Sequence, residues 1–169
     1  MADLYSQRVN QTLAFAQYAL VGVSAEFNGE SPNRMKLRGL QEAALFHLDS
    51  AFKAYLQELA ERERVVLTES TLPELSKAFN QQAINCSELN ELELLSLDQT
   101  SWLSKLLNAI KAIHKPILTT QEATSQSQIA ITDLAKEPSL EEQLESQLQG
   151  WFEQFRAMVQ RHRSNSQEW

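Results

Sequence analysis

Tyr5, Val9, Thr12, Ala16, Ala19 and Val23 follow one another at alternating intervals of four and three residues. That spacing lays a single apolar and small-residue seam along a helix. The first helix is therefore predicted over Asp3 to Glu26. The turn NGESPN (Asn28 to Asn33) should end it, with Gly29 supplying a left-handed cap. A second and longer helix is predicted from Asn33 to Arg64, carrying two neighbouring stripes. Leu37, Leu40, Ala44, Ala51 and Tyr55 form one; Leu45, Leu48, Phe52, Leu56 and Leu59 form the other. So wide an apolar arc needs two or three partner helices, which places this element at the centre.

The T-x-x-E box of Thr71 and Glu74, with Pro73 in the first turn, opens a third helix. Leu72, Leu75, Phe79, Ala83 and Cys86 share its face, and the spacing allows it either to continue to Leu95 or to restart at Ser87. Asp98 is the predicted N-cap of the next helix, which carries Leu103, Leu106, Leu107, Ile110 and Ile113 and stops at Pro116. A polar stretch without periodicity follows, predicted as a loop over about 117–138, within which Ile129 and Ile131 form a short docked segment. An S-x-x-E box at Ser139 and Glu142 starts the last helix, whose stripe is Leu140, Leu144, Leu148, Trp151, Phe152, Phe155 and Val159. A short polar tail is expected at 164–169. The pattern predicts an all-α, up-and-down bundle of four to five helices in one domain, residues 1–169.

Composition narrows the class further. Four Gly and four Pro in 169 residues are too few for a β-sandwich or barrel, which needs turn-formers at short intervals. All four prolines, Pro32, Pro73, Pro116 and Pro138, fall at predicted helix boundaries. A single cysteine, Cys86, excludes a disulfide framework and suits a reducing compartment. The N-terminus has no basic segment followed by an apolar core, so no secretory signal is expected and the location should be cytoplasmic. Leu13 to Val23 is about half the roughly 20 residues a membrane-spanning helix needs. The net charge of −7 argues against nucleic acid as a partner, because sequence-independent binding runs on Lys and Arg.

Candidate chemistry is sparse. His47 sits on the central helix, but Glu42 and Asp49 are five and two residues away and do not stack on it, so it is expected as a hydrogen-bonded boundary residue. No E-x-x-H pair occurs, which removes a di-iron bundle site; neither a zinc pattern nor a phosphate-cradling glycine loop is present. Cys86 reads as a small buried hydrophobe. No catalytic residue, metal or cofactor is therefore expected. Basic residues gather at Arg34, Lys36 and Arg38, at Arg62 and Arg64, and at Arg156, Arg161, His162 and Arg163. The last four are a candidate basic patch, although cations near helix C-termini also complement the helix dipole. Trp151, Phe152 and Phe155, with Trp169 at the end of the chain, are a candidate interaction surface. Gly150 beside them suggests close approach of another backbone or ring.

Two passages, LYSQRVNQTLAFAQYAL and EAALFHLDSAFKAYL, together with an arginine-rich end closing in EW, resemble a gammaproteobacterial family of small helical proteins of unknown function. That resemblance implies a cytosolic all-α protein and assigns no active residues. A weaker one is to HEPN bundles, whose active ribonucleases place His four to six residues beyond an Arg. Here eight residues separate Arg38 from His47, so the resemblance implies RNA binding without nuclease activity. The leading expectation is a non-enzymatic interaction module that binds a protein partner or a second copy of itself through an exposed apolar strip. The alternatives are the HEPN-like RNA binder and a bundle that holds a small apolar ligand.

Overall fold

A computed structural model of the chain describes residues 4–113, 115 and 140–167, without the side chains of 140–143 and 166–167. The expected loop at 117–138, the Ser139 cap with its Glu142 partner, Ile129, Ile131 and Trp169 lie outside the described residues. Six helices appear among them: α1 (Leu4–Phe27), α2 (Arg34–Arg62), α3 (Leu72–Gln81), α4 (Ser87–Leu97), α5 (Trp102–Ala112) and α6 (Leu140–Gln167). The all-α class holds. The expected count of four to five was low because the third predicted helix is two: α3 stops at Gln81 and α4 restarts at Ser87. The expected tail also shortens, since 164–167 form the end of α6.

The α3–α4 break has a local cause. Ala83 takes a left-handed backbone at φ 54°, and Ile84 N–H then donates back to Phe79 C=O at 2.9 Å. That contact satisfies an orphan carbonyl and turns the chain, as a Schellman-type end does. Arg64 repeats the device after α2, at φ 57° with Val65 N–H donating to Ala60 C=O. Gly29, the expected left-handed cap, has no positive φ; Asn28 ends α1 instead, its backbone N–H and side-chain Nδ2 both donating to Ser24 C=O.

Capping followed the sequence in part. Thr71 accepts from Glu74 N–H, yet Glu74 turns its carboxylate to Thr68 N–H and Glu69 N–H rather than completing a reciprocal box. Asp98 is not the α5 cap. It ends α4 and accepts from both Thr100 N–H and Thr100 Oγ1–H, leaving Ser101 to cap Ser104 N–H at 3.0 Å.

The helix α2 packs against α1, α3, α5 and α6, so its two stripes do hold the centre. Leu48, Leu56, Leu59 and Tyr55 are essentially inaccessible there. The short connection makes α1 and α2 an antiparallel hairpin. Ser24 lies against Glu145 and Asn10 against Arg163, so α6 runs antiparallel to α1 and parallel to α2. Phe155 of α6 is fully buried, with rings of Phe52, Tyr55 and Trp102 each about 6 Å away. Gly150 does not serve close packing: a Cβ there would meet only Gln154 Nε2, at 4.0 Å. Gly150→Ala is therefore expected to stabilise the protein by about 1 kcal/mol, the helix-interior difference between the two residues. Thermal unfolding checks this, and a lower melting temperature would show that a neighbour does approach the site.

Candidate functional site

Four of the polar residues singled out in the sequence, Arg62, Arg161, His162 and Arg163, converge at one end of the bundle. His162 on α6 is 3% exposed, its Nε2 2.9 Å from Glu91 of α4 and its Nδ1 2.5 Å from the Tyr55 hydroxyl of α2. Both ring nitrogens are thereby matched, one to a carboxylate and the other to a hydroxyl. Arg161 pairs with the same Glu91. Arg163 grips Glu58 through two contacts of 2.7 Å and reaches Asn10 and the Ser6 carbonyl on α1. Arg62 pairs with Glu88 at 2.7 Å, with Cys86 beside both. Arg156 lies over the Phe152 ring at 5.4 Å. The candidate basic patch is thus an internal strap: three of its four members are joined to carboxylates or to Tyr55, and they tie α6 to α1, α2 and α4.

The titration behaviour follows from those contacts. Burial pushes the Tyr55 hydroxyl strongly up, and the nearby Glu58 and Glu88 carboxylates add to it, so Tyr55 remains a neutral donor. Burial also raises the Cys86 thiol, consistent with a packing role. For Glu91, burial opposes ionisation, but hydrogen bonds from His162 and Arg161 outweigh it and hold the carboxyl below its ordinary 4.5. Glu88 is lowered likewise: burial raises it, while its own backbone N–H, Ser87 and Arg62 prevail. A carboxyl depressed by folding contributes stability that is present above its unfolded value and is lost as pH falls through its folded value. The stability gap between the wild type and Glu91→Gln is therefore expected to shrink as pH drops below about 4.5. Denaturant titrations across that range check it, and a gap constant with pH would show that Glu91 carries no linked proton.

The predicted aromatic surface is placed in the core. Trp151 is 5% exposed, and Phe152 and Phe155 are buried with Met158 and Val159. The reason is that α6 must cover α1, α2 and α5 at once, which consumes its whole apolar arc. These residues offer no strip to solvent. His47 is not found in a polar network either; its ring meets Phe15 at 5.4 Å and Phe46 at 5.6 Å, edge to face.

Those two phenylalanines belong to a surface that seam analysis passed over. Between Arg8 and Glu26 the first helix has no charged residue at all. Its seam is buried as predicted at Val9, Thr12, Ala16, Ala19 and Val23, but Phe15, Tyr18 and Val21 lie off the seam and face solvent. Tyr18 is 73% exposed. Alongside on α2, Phe46 is 62% exposed, and Gly39, Ala43 and Ser50 continue its outer strip one and two turns away. Gly39 has open space where a Cβ would stand, whereas a Cβ at Gly22 would come within 3.1 Å of the Leu40 side chain, so Gly22 serves the packing of α1 on α2. The α1 side of this outer surface is therefore aromatic and free of charge, whereas on α2 Phe46 stands in a shallow small-residue strip and is flanked by Glu42 one turn before it and by Asp49 and Lys53 one and two turns after it. The signal in the sequence was the surplus: apolar residues beyond those the seam requires, in a stretch free of charge.

Among the described residues no group of His, Cys, Asp and Glu is arranged to hold a metal ion, and no helix is long and apolar enough to cross a membrane. One family model matches, over residues 1–169, and it describes a family of unknown function, DUF6586. No curated protein and no solved structure matches the chain.

Proposed function

We propose that this chain, which belongs to the DUF6586 family of unknown function, is a non-enzymatic interaction module that pairs with a second copy of itself through the outer face of α1–α2. The observation that carries the reading is the exposed apolar cluster of Phe15, Tyr18, Val21 and Phe46, whose α1 members lie in a stretch without charge. A large side chain presents about 150–250 Å², so these four expose several hundred Å². Patches of that size on a lone protein mark interaction sites. Met35 and Leu4, at the starts of α2 and α1, are also largely exposed and extend the apolar surface of the hairpin.

Charge and shape favour a copy of the chain as the occupant. Two chains of net charge −7 repel at long range, so a lasting contact belongs where neither brings charge. A two-fold contact uses the same patch twice and must complement itself. Knobs at Tyr18 and Phe46, with a floor at Gly39 and Ala43, meet that condition, because each copy offers what the other needs. The non-enzymatic part is supported by the engagement of Cys86, His47 and His162 in packing and internal hydrogen bonds. Sedimentation equilibrium over a range of concentrations tests the reading. A mass rising from 19.2 kDa toward twice that value is expected, and a single-chain mass at every concentration would overturn it.

A further inference from the structure

We propose that the cleft between α2, the start of α3, α4 and α5 binds an uncharged, largely apolar small molecule. Its volume is about 820 Å³, inside the roughly 300–1,000 Å³ range of small-molecule sites. Phe52, Leu72, Pro73, Leu97 and Leu107 give it apolar walls drawn from all four elements. This is a different surface from the outer face of α1–α2, and it does not depend on pairing of the chain.

The charge of the ligand follows from the lining. Asp49 and Lys53 both border the cleft, but they neutralise each other at 2.6 Å. The remaining charges, Glu93 and Lys111, are one of each sign, so the lining sums to zero. An ion entering such a cleft would surrender its hydration without a net Coulombic return, whereas a neutral apolar body gains from burial. Some polarity is still recognised. The hydroxyls of Ser70 and Thr71 are already occupied by Gln57 and by Glu74 N–H. Ser76 and Asn108 line the cleft and have no hydrogen-bond partner among the described residues, which leaves a hydroxyl and an amide for a ligand carbonyl or hydroxyl.

Nile red, an uncharged apolar dye, is a suitable reporter, titrated by fluorescence against the full chain. Saturable binding at one site per chain is expected, with a blue-shifted emission. Ser76→Trp, which fills the cleft from α3, should weaken binding about tenfold or more. Ser96→Trp fills it from α4 and serves if the first variant does not fold. Raising the salt concentration should leave the affinity within about twofold, as should Tyr18→Asp on the outer face. Four results would overturn the proposal: no saturable binding; unchanged affinity in filled variants that melt like the wild type; a steep dependence on salt, which would mean an ionic site; or loss on Tyr18→Asp, which would put the dye on the α1–α2 face.

Discussion

Truncating Phe155 to alanine is expected to lower the unfolding free energy by about 3–5 kcal/mol, the usual cost of removing a fully buried ring. Phe155 is inaccessible to solvent, and it is the shared neighbour of Phe52 and Tyr55 on α2 and Trp102 on α5. The edge-to-face pairs with Phe52 and Tyr55 add to area burial, and the tilted Trp102 ring loses its contact as well. These neighbours belong to two other helices, α2 and α5, and cannot collapse into the cavity without moving a backbone. Against the roughly 5–15 kcal/mol of a typical domain, the loss is large. A shift in the midpoint of denaturant unfolding measures it. A cost under about 1 kcal/mol would mean that α6 is not docked as described. The same reasoning changes the expectation for Trp151, whose truncation should reduce stability in the first place, because its ring is buried in the same core.

Tyr18→Asp should do the opposite: leave unfolding almost unchanged and weaken self-association at least about a hundredfold. The side chain is largely exposed, so the folded monomer loses little. In a two-fold pair the substitution acts twice, because each copy brings one aspartate to an apolar contact. Truncating a central aromatic in an interface typically costs at least about 2 kcal/mol, and a buried unpaired carboxylate adds to that. Sedimentation and thermal unfolding of the variant beside the wild type check it. A melting temperature lowered by many degrees with the assembly state preserved would place Tyr18 in the core of the chain, not at its interface.

The helices were legible wherever burial set a period. The α1 seam and both α2 stripes are buried almost as read, because a helix that must hide one face repeats apolar residues every three to four positions. What the period could not give was the helix ends fixed by single backbone conformations. Ala83 and Arg64 adopt left-handed geometry without being glycine, and Gly29 does not adopt it. Nothing in those residue types announces the outcome, since tertiary contacts at Ile84 and Val65 decide it. Asp98 was misplaced for a related reason: an aspartate and a serine three residues apart both suit an N-cap, and the carboxylate closes on Thr100 first.

The candidate site was less legible than the fold. A stripe containing Trp151, Phe152 and Phe155 looks alike whether the helix faces its own core or another molecule, because periodicity says which residues share a face but not what covers it. The basic cluster at Arg161 to Arg163 was ambiguous in the same way. Its partners, Glu58 and Glu91, lie far away in sequence, and only the packing of α6 beside α2 and α4 reveals that these charges are satisfied internally. The α1–α2 face required the reverse subtraction. Once the seam is assigned to the core, Phe15 and Tyr18 are left over, and an apolar residue left over in a charge-free stretch of helix needs an explanation that burial within the chain does not supply.

Hydroxyl-radical footprinting of the wild type at low and high concentration tests the pairing through α1–α2 most directly, because it reports on the named side chains themselves. Oxidation of Tyr18 and Phe46 should fall as concentration rises, while exposed Leu94 and Leu97, on α4, label equally throughout. Tyr18 and Phe46 labelling at one constant, fully exposed rate over the whole range would contradict the pairing.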